Sequence, residues 1–246
     1  MLRSFIDRRV EAMLEFCERC GFKLPPFALW SGQDFRAAPD AAKRIAENGL
    51  GWNIVEFKRG AFARDGLSVF TLRMGDWRRL KSGAGRLYSE KALYAEDGQR
   101  TPHHYHVVKT EDILNRGGAR FVVELFKVDR AGRRLDERVR IMKDAAMIEV
   151  AAGGRVVLEP GESLVLEPYV AHAFWAEGGA ALAGEVSLAN DDATDNYFLS
   201  APEPPAPIEE DAPMRHPTVR DYAALILPRE AGEGDHAKHG GGGSGG

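Results

Sequence analysis

Residues 98–118 read GQRTPHHYHVVKTEDILNRGG and are unusually rich in side chains that can bind a metal ion. It holds three of the seven histidines within four positions. On a β-strand, side chains two positions apart point to the same face, so His104 and His106 can reach one common point while His103 points the other way. The pair therefore predicts a metal site that is built on a strand.

Two further ligands are expected to complete this site. Glu111 follows His106 by five positions and can supply a carboxylate oxygen from the next turn or bulge. His172 is the best remaining imidazole, because it opens a predicted strand after the turn-like residues EPYVA. Three imidazoles and one carboxylate suit Mn, Fe, Co, Ni or Zn. The alternative interpretation is a polar strand that carries surface histidines.

The sequence around this stretch is typical of antiparallel β-structure. From residue 53 onward, short runs rich in β-branched and aromatic residues are separated by turn signals about every 8–12 residues. Strands do not alternate with helices here, so we expect a sandwich or barrel rather than a parallel sheet. The predicted strands are LSVFTLRM (67–74), RLYSEKALYAE (86–96), RFVVELFKV (120–128), RVRIMKDA (138–145), RVVLEP (155–160), ESLVLEP (162–168), HAFWAE (172–177) and ALAGEVSLA (181–189).

Residues 1–52 are expected to form a helical extension that packs on the barrel. An amphipathic stripe predicts a helix over 3–20, and a second short helix is predicted over 39–48. The first helix carries Cys17 and Cys20 as a CxxC pair. Since the sequence has no second CxxC pair, we interpret both cysteines as small apolar residues rather than as a zinc or redox site.

Residues 53–230 are expected to form the barrel together with a C-terminal wrap. The wrap is the Pro-rich segment 201–213, and the apolar segment DYAALILP (221–228) after it is predicted to return to the sheet. Residues 231–246 are predicted to be a disordered tail, and their glycine-rich end has the composition of a flexible linker.

Composition restricts the classes of function. The formal net charge is −4, which gives no electrostatic reason to expect nucleic acid or an anionic membrane as a partner. No apolar run approaches the roughly 20 residues of a membrane helix, and the N-terminal region is charged throughout. We therefore expect a cytoplasmic protein that acts on a small molecule.

The glycines on either side of the histidines extend the pattern. Gly98, His104, His106, Glu111 and Gly118 stand at the spacing of the first motif of the cupin family. This resemblance implies a double-stranded β-helix, the jelly-roll barrel, which agrees with the all-β pattern. It also implies a metal site that contains these two histidines and the glutamate.

The second cupin motif is less complete in this sequence. Gly161 and His172 stand at its spacing. Glu167 occupies its proline position, Tyr169 its glycine position, and Ala176 the position of a frequent asparagine. Only turn residues are altered, so the resemblance still implies His172 as a ligand.

The segments around these ligands resemble one cupin family, the D-lyxose isomerases, from about residue 3 to residue 213. The resemblance implies an enzyme that interconverts D-lyxose with D-xylulose, and often D-mannose with D-fructose. It also implies a divalent metal, usually Mn²⁺, and a homodimer. The segments that carry it are LPPFALW (24–30), GLSVFTLR (66–73), YSEKALY (88–94), KTEDILNRGG (109–118), LEPGESLVL (158–166) and GEVSLANDDATDNYFL (184–199).

Aldose–ketose isomerisation requires a base over the C1–C2 bond and stabilisation of the enediolate oxygens. Lys109 stands between two predicted ligands and is expected to stabilise the oxyanion or to shuttle a proton. Glu185 follows apolar and small residues and is predicted to point inward. Glu210 matches an acidic cluster that the family carries after its Pro-rich segment, and it is predicted to fold over the site.

Each of these three residues also has a structural interpretation. Lys109 can be a solvent-exposed lysine, and Glu185 can be the partner of a buried lysine or arginine. Glu210 can belong to a solvated acidic face. In the same way, Asp191 and Asp195 are predicted to bind sugar hydroxyls, although aspartates in loops often satisfy local backbone groups instead.

Two other functions remain compatible with the residues. An Fe²⁺-dependent cupin oxygenase would use the same ligands but has no need of Lys109 or of an acidic proton shuttle. A non-enzymatic sugar-binding cupin would need an effector domain, and the sequence contains no helix-turn-helix or basic region. A phosphosugar isomerase, a variant of the first function, would need a phosphate cradle that we do not identify.

Overall fold

Strands dominate the computed structural model, which describes residues 1–226 and joins its strands in one sheet with antiparallel pairing. The all-β class predicted from the strand pattern is confirmed. The predicted tail lies outside the described residues. The strands are β1 (Gly51–Glu56), β2 (Gly66–Arg73), β3 (Tyr88–Ala95), β4 (His104–Tyr105), β5 (Glu111–Val128), β6 (Arg134–Leu135), β7 (Val139–Lys143), β8 (Ala146–Val150), β9 (Gly154–Leu158), β10 (Ser163–Leu166), β11 (Val170–Leu188) and β12 (Tyr197–Phe198).

Within residues 1–226, three α-helices precede the first strand in the sequence, and a fourth follows the last strand. They are α1 (Arg3–Arg19), α2 (Gly32–Ala37), α3 (Pro39–Glu47) and α4 (Tyr222–Ile226), with short 3-10 helices at Pro26–Leu29 and Trp77–Ser82. Among the described residues, no helix has both the length and the apolar character to cross a bilayer.

The helix α4 corrects the prediction that the last apolar segment returns to the sheet. Its Tyr222 packs instead against Phe35 and Ile45 from the N-terminal helices. A short apolar run does not distinguish a strand from a buried helix, and here packing against other helices decides the outcome.

Two long strands, β5 and β11, pair with each other along most of their 18 and 19 residues. β11 joins two segments that the sequence predicts as separate strands. Glu111, predicted to lie in a turn or bulge, is instead the first residue of β5. A register shift between Glu177 and Ala181 lets the pair bend. At this bend Gly118 has φ +92°, and a Cβ there would lie 2.5 Å from the carbonyl oxygen of Ala180, so a glycine is required.

Strand β2 is buried on both of its faces. In β2, Leu67 and Val69 belong to the core inside the barrel, whereas Phe70 and Leu72 belong to a second cluster beneath α1. The side chains of α1 in this second cluster include Cys17, a buried free thiol. The long apolar runs of the central strands follow from this two-sided burial.

Candidate active site and metal centre

Four side chains from neighbouring strands converge inside the barrel. His104 lies on β4 and is the register partner of His172 on β11, and their ring centroids are 4.2 Å apart. His106 follows β4 directly, and Glu111 begins β5. One nitrogen or carboxylate oxygen of each side chain lies within 4.8 Å of those of the other three. The structure thus brings together all four residues that the sequence predicts as ligands.

Backbone carbonyls fix the tautomer of all three imidazoles. His104 and His172 each contact, through Nδ1, the carbonyl oxygen of the residue two positions earlier, at 3.0 Å. His106 Nδ1 contacts the carbonyl oxygen of Asp195. A carbonyl oxygen can only accept a hydrogen bond, so each Nδ1 carries the proton and donates it. Each Nε2 is left with a lone pair that faces the other ligands, as metal-binding histidines require.

Three of the four candidate ligand atoms lack a hydrogen-bond partner in the part of the chain that the structure describes. His106 Nε2, Glu111 Oε1 and His172 Nε2 are buried and have no hydrogen-bond partner among the described residues. His172 Nε2 lies 3.1 Å from Glu111 Oε1, yet with its proton on Nδ1 it presents only a lone pair to that oxygen. Unpartnered buried polar atoms are rare and costly. A divalent cation between them would satisfy all three atoms, so the residues fit a metal ion.

The charges of two of these residues also favour a cation. Burial keeps the pKa of His104 well below its usual value, which leaves the ring neutral. Burial alone would raise the pKa of Glu111, but Lys109 together with His106 and His172 outweighs burial and holds that pKa well below the usual range. A neutral imidazole and an ionised carboxylate are the forms that bind metal ions.

Lys109 connects the ligand set to a second carboxylate. Its Nζ lies 2.6 Å from Glu111 Oε2 and 3.0 Å from Glu185 Oε1, and all three side chains are buried. Burial lowers the pKa of Lys109, but the two carboxylates outweigh burial and raise it, so the ammonium stays charged. Both Lys109 and Glu185 line the same cavity as His104 and His106. The expectation that Lys109 and Glu185 lie near the ligands therefore agrees with the geometry.

The sequence interpretation missed Lys91. This residue lies on β3 as the register partner of Glu185 on β11, and its Nζ is 3.1 Å from Glu185 Oε1. Its Nζ also lies 3.4 Å from Asp192 Oδ2. The available signal was a lysine in the otherwise buried part of β3, where an unpaired charge would be costly.

The Asp195 side chain binds backbone N–H groups and does not line the cavity. Its carboxylate accepts hydrogen bonds from the three consecutive N–H groups of residues 107–109, at 2.7, 3.2 and 2.9 Å. These bonds hold the loop that presents Lys109. Asp191 lines the cavity, and its Oδ1 also accepts a hydrogen bond from the N–H of Ala193 at 3.0 Å. Local turn chemistry is therefore present at both predicted sugar ligands.

Glu210 lies away from this group, which corrects the expectation that it folds over the site. Its carboxylate accepts hydrogen bonds from Arg3 at 2.7 and 2.9 Å, and 59% of its side chain is exposed. The acidic cluster after the wrap anchors the wrap to α1. His103 points away from the ligands, as expected, with Nε2 3.2 Å from Glu124 Oε1.

A cavity of about 520 Å³ opens beside these residues. One part of its wall continues the barrel core, and another part is rich in amides and carboxylates. The carbonyl oxygens of the Asn190 and Asn196 side chains are buried there without a hydrogen-bond partner among the described residues. The apolar part includes Val55, Leu67, Val69, Leu93 and Phe174, and the polar part includes Asn53, Asn190, Asp191, Asp192 and Asn196.

Sequence similarity covers almost the whole chain. Residues 1–222 match the D-lyxose isomerase family. The chain belongs to this family. A D-lyxose/D-mannose isomerase from Escherichia coli O157:H7 is 36% identical over 225 residues, which cover 90% of this chain and 98% of that protein. One from Serratia proteamaculans is 36% identical over 229 residues, covering 92% and 100%.

Similarity to solved structures bears on the fold. The ligand-free L-ribose isomerase of Cellulomonas parahominis superposes with a TM-score of 0.54 at 13% identity, covering 81% of this chain and 93% of that one. The fold is the cupin jelly roll that the motif spacing implied. As a member of the D-lyxose isomerase family, the chain is a sugar isomerase of the aldose–ketose class. Family membership argues against the oxygenase and the non-enzymatic alternatives.

Proposed function

We propose that the protein interconverts D-lyxose with D-xylulose, and D-mannose with D-fructose, by proton transfer through a cis-enediol. The observation that carries this proposal is a cluster of four side chains that could hold a metal ion, with the buried Lys109–Glu185 pair beside it. Two histidines of the cluster and both members of the pair line one cavity. The names of the two 36% identical relatives support the choice of aldoses.

His104, His106, Glu111 and His172 would hold the metal. We propose Mn²⁺, on the basis of the family resemblance, and the same nitrogen and oxygen ligands also suit Co, Ni, Fe or Zn. When bound, the ion would supply Lewis-acid stabilisation to the sugar oxygens O1 and O2.

Glu185 is the group that we propose as the base. Its Oε1 contacts lysine ammonium groups, and no hydrogen bond from residues 1–226 reaches its Oε2. This free oxygen can take the proton from C2 of the aldose and return it to C1 of the ketose on the same face of the enediol. A single carboxylate that serves both carbons is consistent with a cis-enediol.

Lys109 is proposed to handle the hydroxyl protons. An ammonium can give a proton to O1 as the C1 carbonyl becomes an enediol hydroxyl, and it can recover one from O2 as the C2 carbonyl forms. The net proton balance of Lys109 over one turnover is then zero. Its contact with Glu111 keeps the ammonium at the metal side of the cavity.

The cavity suits a free sugar in both size and character. Its volume of about 520 Å³ is within the range of about 300–1,000 Å³ that is common for small-molecule sites. The buried side-chain oxygens of Asn190 and Asn196 can accept hydrogen bonds from sugar hydroxyls.

We also propose that the protein is a homodimer. The family resemblance is the main support, and association commonly covers the edges of a jelly-roll sheet. A dimer mass by light scattering at micromolar concentration is the expected result, and a monomer mass would refute the proposal.

Metal analysis combined with a ketose assay tests the proposed function. Purified protein should contain about one divalent ion per chain at this four-ligand site. It should convert D-lyxose and D-mannose faster than the other free pentoses and hexoses of a panel, and chelation should abolish turnover. A metal-loaded protein that forms no ketose from either sugar would contradict the proposal.

A further inference from the structure

Glu185 Oε1 contacts two ammonium groups, one from β3 and one from the loop that precedes β5. Lys109 Nζ lies 3.0 Å from this oxygen and Lys91 Nζ lies 3.1 Å from it. Two charged contacts on one oxygen restrict rotation of the carboxylate, because any rotation lengthens at least one of them. The other oxygen, Oε2, is left for the cavity.

Lys91 also contacts the part of the cavity wall that is rich in amides. Its Nζ lies 3.4 Å from Oδ2 of Asp192, and Oδ1 of Asp192 accepts a hydrogen bond from the side-chain amide of Asn190 at 2.7 Å. All three side chains line the cavity. Lys91 therefore joins the proton-transfer carboxylate to groups that can bind hydroxyls.

Lys91 is buried and charged, and it belongs to a cluster of ionised side chains at the cavity. Only 11% of the Lys91 side chain is exposed. Burial lowers its pKa, but Glu185 and Asp192 outweigh burial and raise it, so it remains an ammonium. Without Lys91, the neighbouring carboxylates of Glu185 and Asp192 would have only Lys109 as a nearby cation within residues 1–226.

We propose that Lys91 is a positioning residue for the isomerisation. It fixes Glu185 so that Oε2 faces the C1–C2 bond of the sugar, and it orients Asp192 to accept a hydrogen bond from a sugar hydroxyl away from the metal side. The proposal rests on the proposed function, since it needs Glu185 as the base.

The first test compares Lys91→Met with Lys91→Arg. Lys91→Met should keep its full metal content, because all four ligands remain, and should lose about 10- to 100-fold in kcat. Lys91→Arg retains the charge and should recover a substantial part of that loss. Arg73→Met is a matched control, since it removes another cation from the same sheet, paired with Glu90 at its surface, and should leave kcat unchanged within about twofold.

A higher kcat for Lys91→Met than for Lys91→Arg would overturn the proposal. If Lys91 only fills space, the apolar Met should be tolerated and the charged, bulkier Arg should be harmful. Should neither variant fold, Lys91→Ala with added ethylammonium supplies the same charge without a covalent link. Turnover that rises with ethylammonium concentration supports the proposal, and turnover that does not respond contradicts it.

A double-mutant cycle tests whether Lys91 acts through Glu185. In a Glu185→Gln background the base is absent, so adding Lys91→Met should lower kcat by less than about threefold. An undiminished loss in that background would show that Lys91 acts independently of Glu185 and would overturn its assignment as a positioning residue.

Asp192→Asn tests the binding part of the proposal at a side chain that is half exposed and tolerant of an isosteric change. It should raise KM for D-lyxose about tenfold, with a smaller effect on kcat. An unchanged KM would remove Asp192 from sugar binding.

Wild-type protein assayed in parallel distinguishes failure of the proposed function from failure of the role proposed for Lys91. An inactive wild type refutes the proposed function. An active wild type with an equally active Lys91→Met refutes only the role of Lys91.

Discussion

The ammonium of Lys109 lies 2.6 Å from Oε2 of Glu111, while Oε1 of the same glutamate faces the imidazoles of the candidate metal centre. One carboxylate therefore touches both the ligand cluster and the lysine proposed for proton transfer. The arrangement follows from spacing along the chain, because only Thr110 separates the two residues. In the proposed mechanism it keeps Lys109 beside the sugar oxygens that the metal would polarise.

Lys109→Ala should separate these two roles. The four ligand side chains remain, so the metal content should stay near that of the wild type, while kcat should fall by about 10²–10⁴-fold, the usual contribution of a general acid–base group. Metal analysis and steady-state kinetics on the same preparation measure both quantities. Near-normal turnover of the metal-loaded variant would remove Lys109 from the mechanism.

His106→Ala should remove metal and activity together. Its Nε2 is one of the buried unpartnered atoms in the cluster, and its loss leaves three ligands. His103→Ala is the matched control, since this ring points toward Glu124 and should be replaceable with little effect on the metal content. A His106→Ala protein that retains the full metal content would contradict the ligand assignment.

The clustering of the four candidate ligands could be predicted from sequence because three of them are local. His104, His106 and Glu111 fall within eight residues, and strand geometry fixes which side chains share a face. His172 lies far along the chain, yet the cupin spacing identified it. The strand pattern likewise predicted the all-β class, since turn signals and β-branched residues are local features.

Features that depend on pairing between distant segments could not be predicted in this way. Lys91 meets Glu185 only because β3 and β11 are register partners. Glu210 had a sequence pattern that suggested the active site, but Arg3, at the other end of the chain, determines where it lies. A sequence pattern records which groups are present, and the tertiary pairing decides which of them meet.

Asp195→Asn should show that this residue supports the loop rather than the sugar. An amide has one acceptor oxygen where the carboxylate has two, so the N–H groups of residues 107–109 would lose part of their bonding. We expect a loss of about 1–3 kcal/mol of stability, together with lower kcat because Lys109 is displaced. Thermal unfolding and kinetics measure these effects, and an effect confined to KM would indicate direct sugar binding instead.

Arg3→Met should destabilise the protein without affecting the chemistry. The Arg3 side chain is 1% exposed and pairs with Asp221 at 2.6 Å and with Glu210 at 2.7 Å, joining α1 to the C-terminal segment. Breaking a buried ion pair on one side costs about 3–5 kcal/mol, so the melting temperature should fall clearly. Glu210→Gln should have a much smaller effect, and a large loss of kcat in that variant would return Glu210 to the active site.

The free energy of stabilisation that Arg3 contributes should decrease at low pH. Burial raises the pKa of Asp221, but hydrogen bonds from Arg3 and Thr218 outweigh it and hold that pKa below its usual value. A carboxylate whose pKa is lowered in the folded state stabilises that state above its unfolded pKa of about 3.9 and loses this effect as the pH falls further. The difference in stability between wild type and Arg3→Met should therefore be constant from about pH 5 to 8 and shrink below about pH 4. A difference that shrinks as the pH rises within that range would contradict the assignment.

The most direct test of the account is turnover of D-lyxose by the metal-loaded protein in deuterated water, followed by NMR. We predict that D-xylulose forms and carries solvent deuterium at C1, and that Glu185→Gln lowers the rates of product formation and of incorporation by about 10²–10⁴-fold while the metal stays bound. Absence of D-xylulose would contradict the proposed function. Formation of D-xylulose that quantitatively retains the deuterium of C2-labelled D-lyxose would contradict the enediol mechanism and indicate a hydride shift.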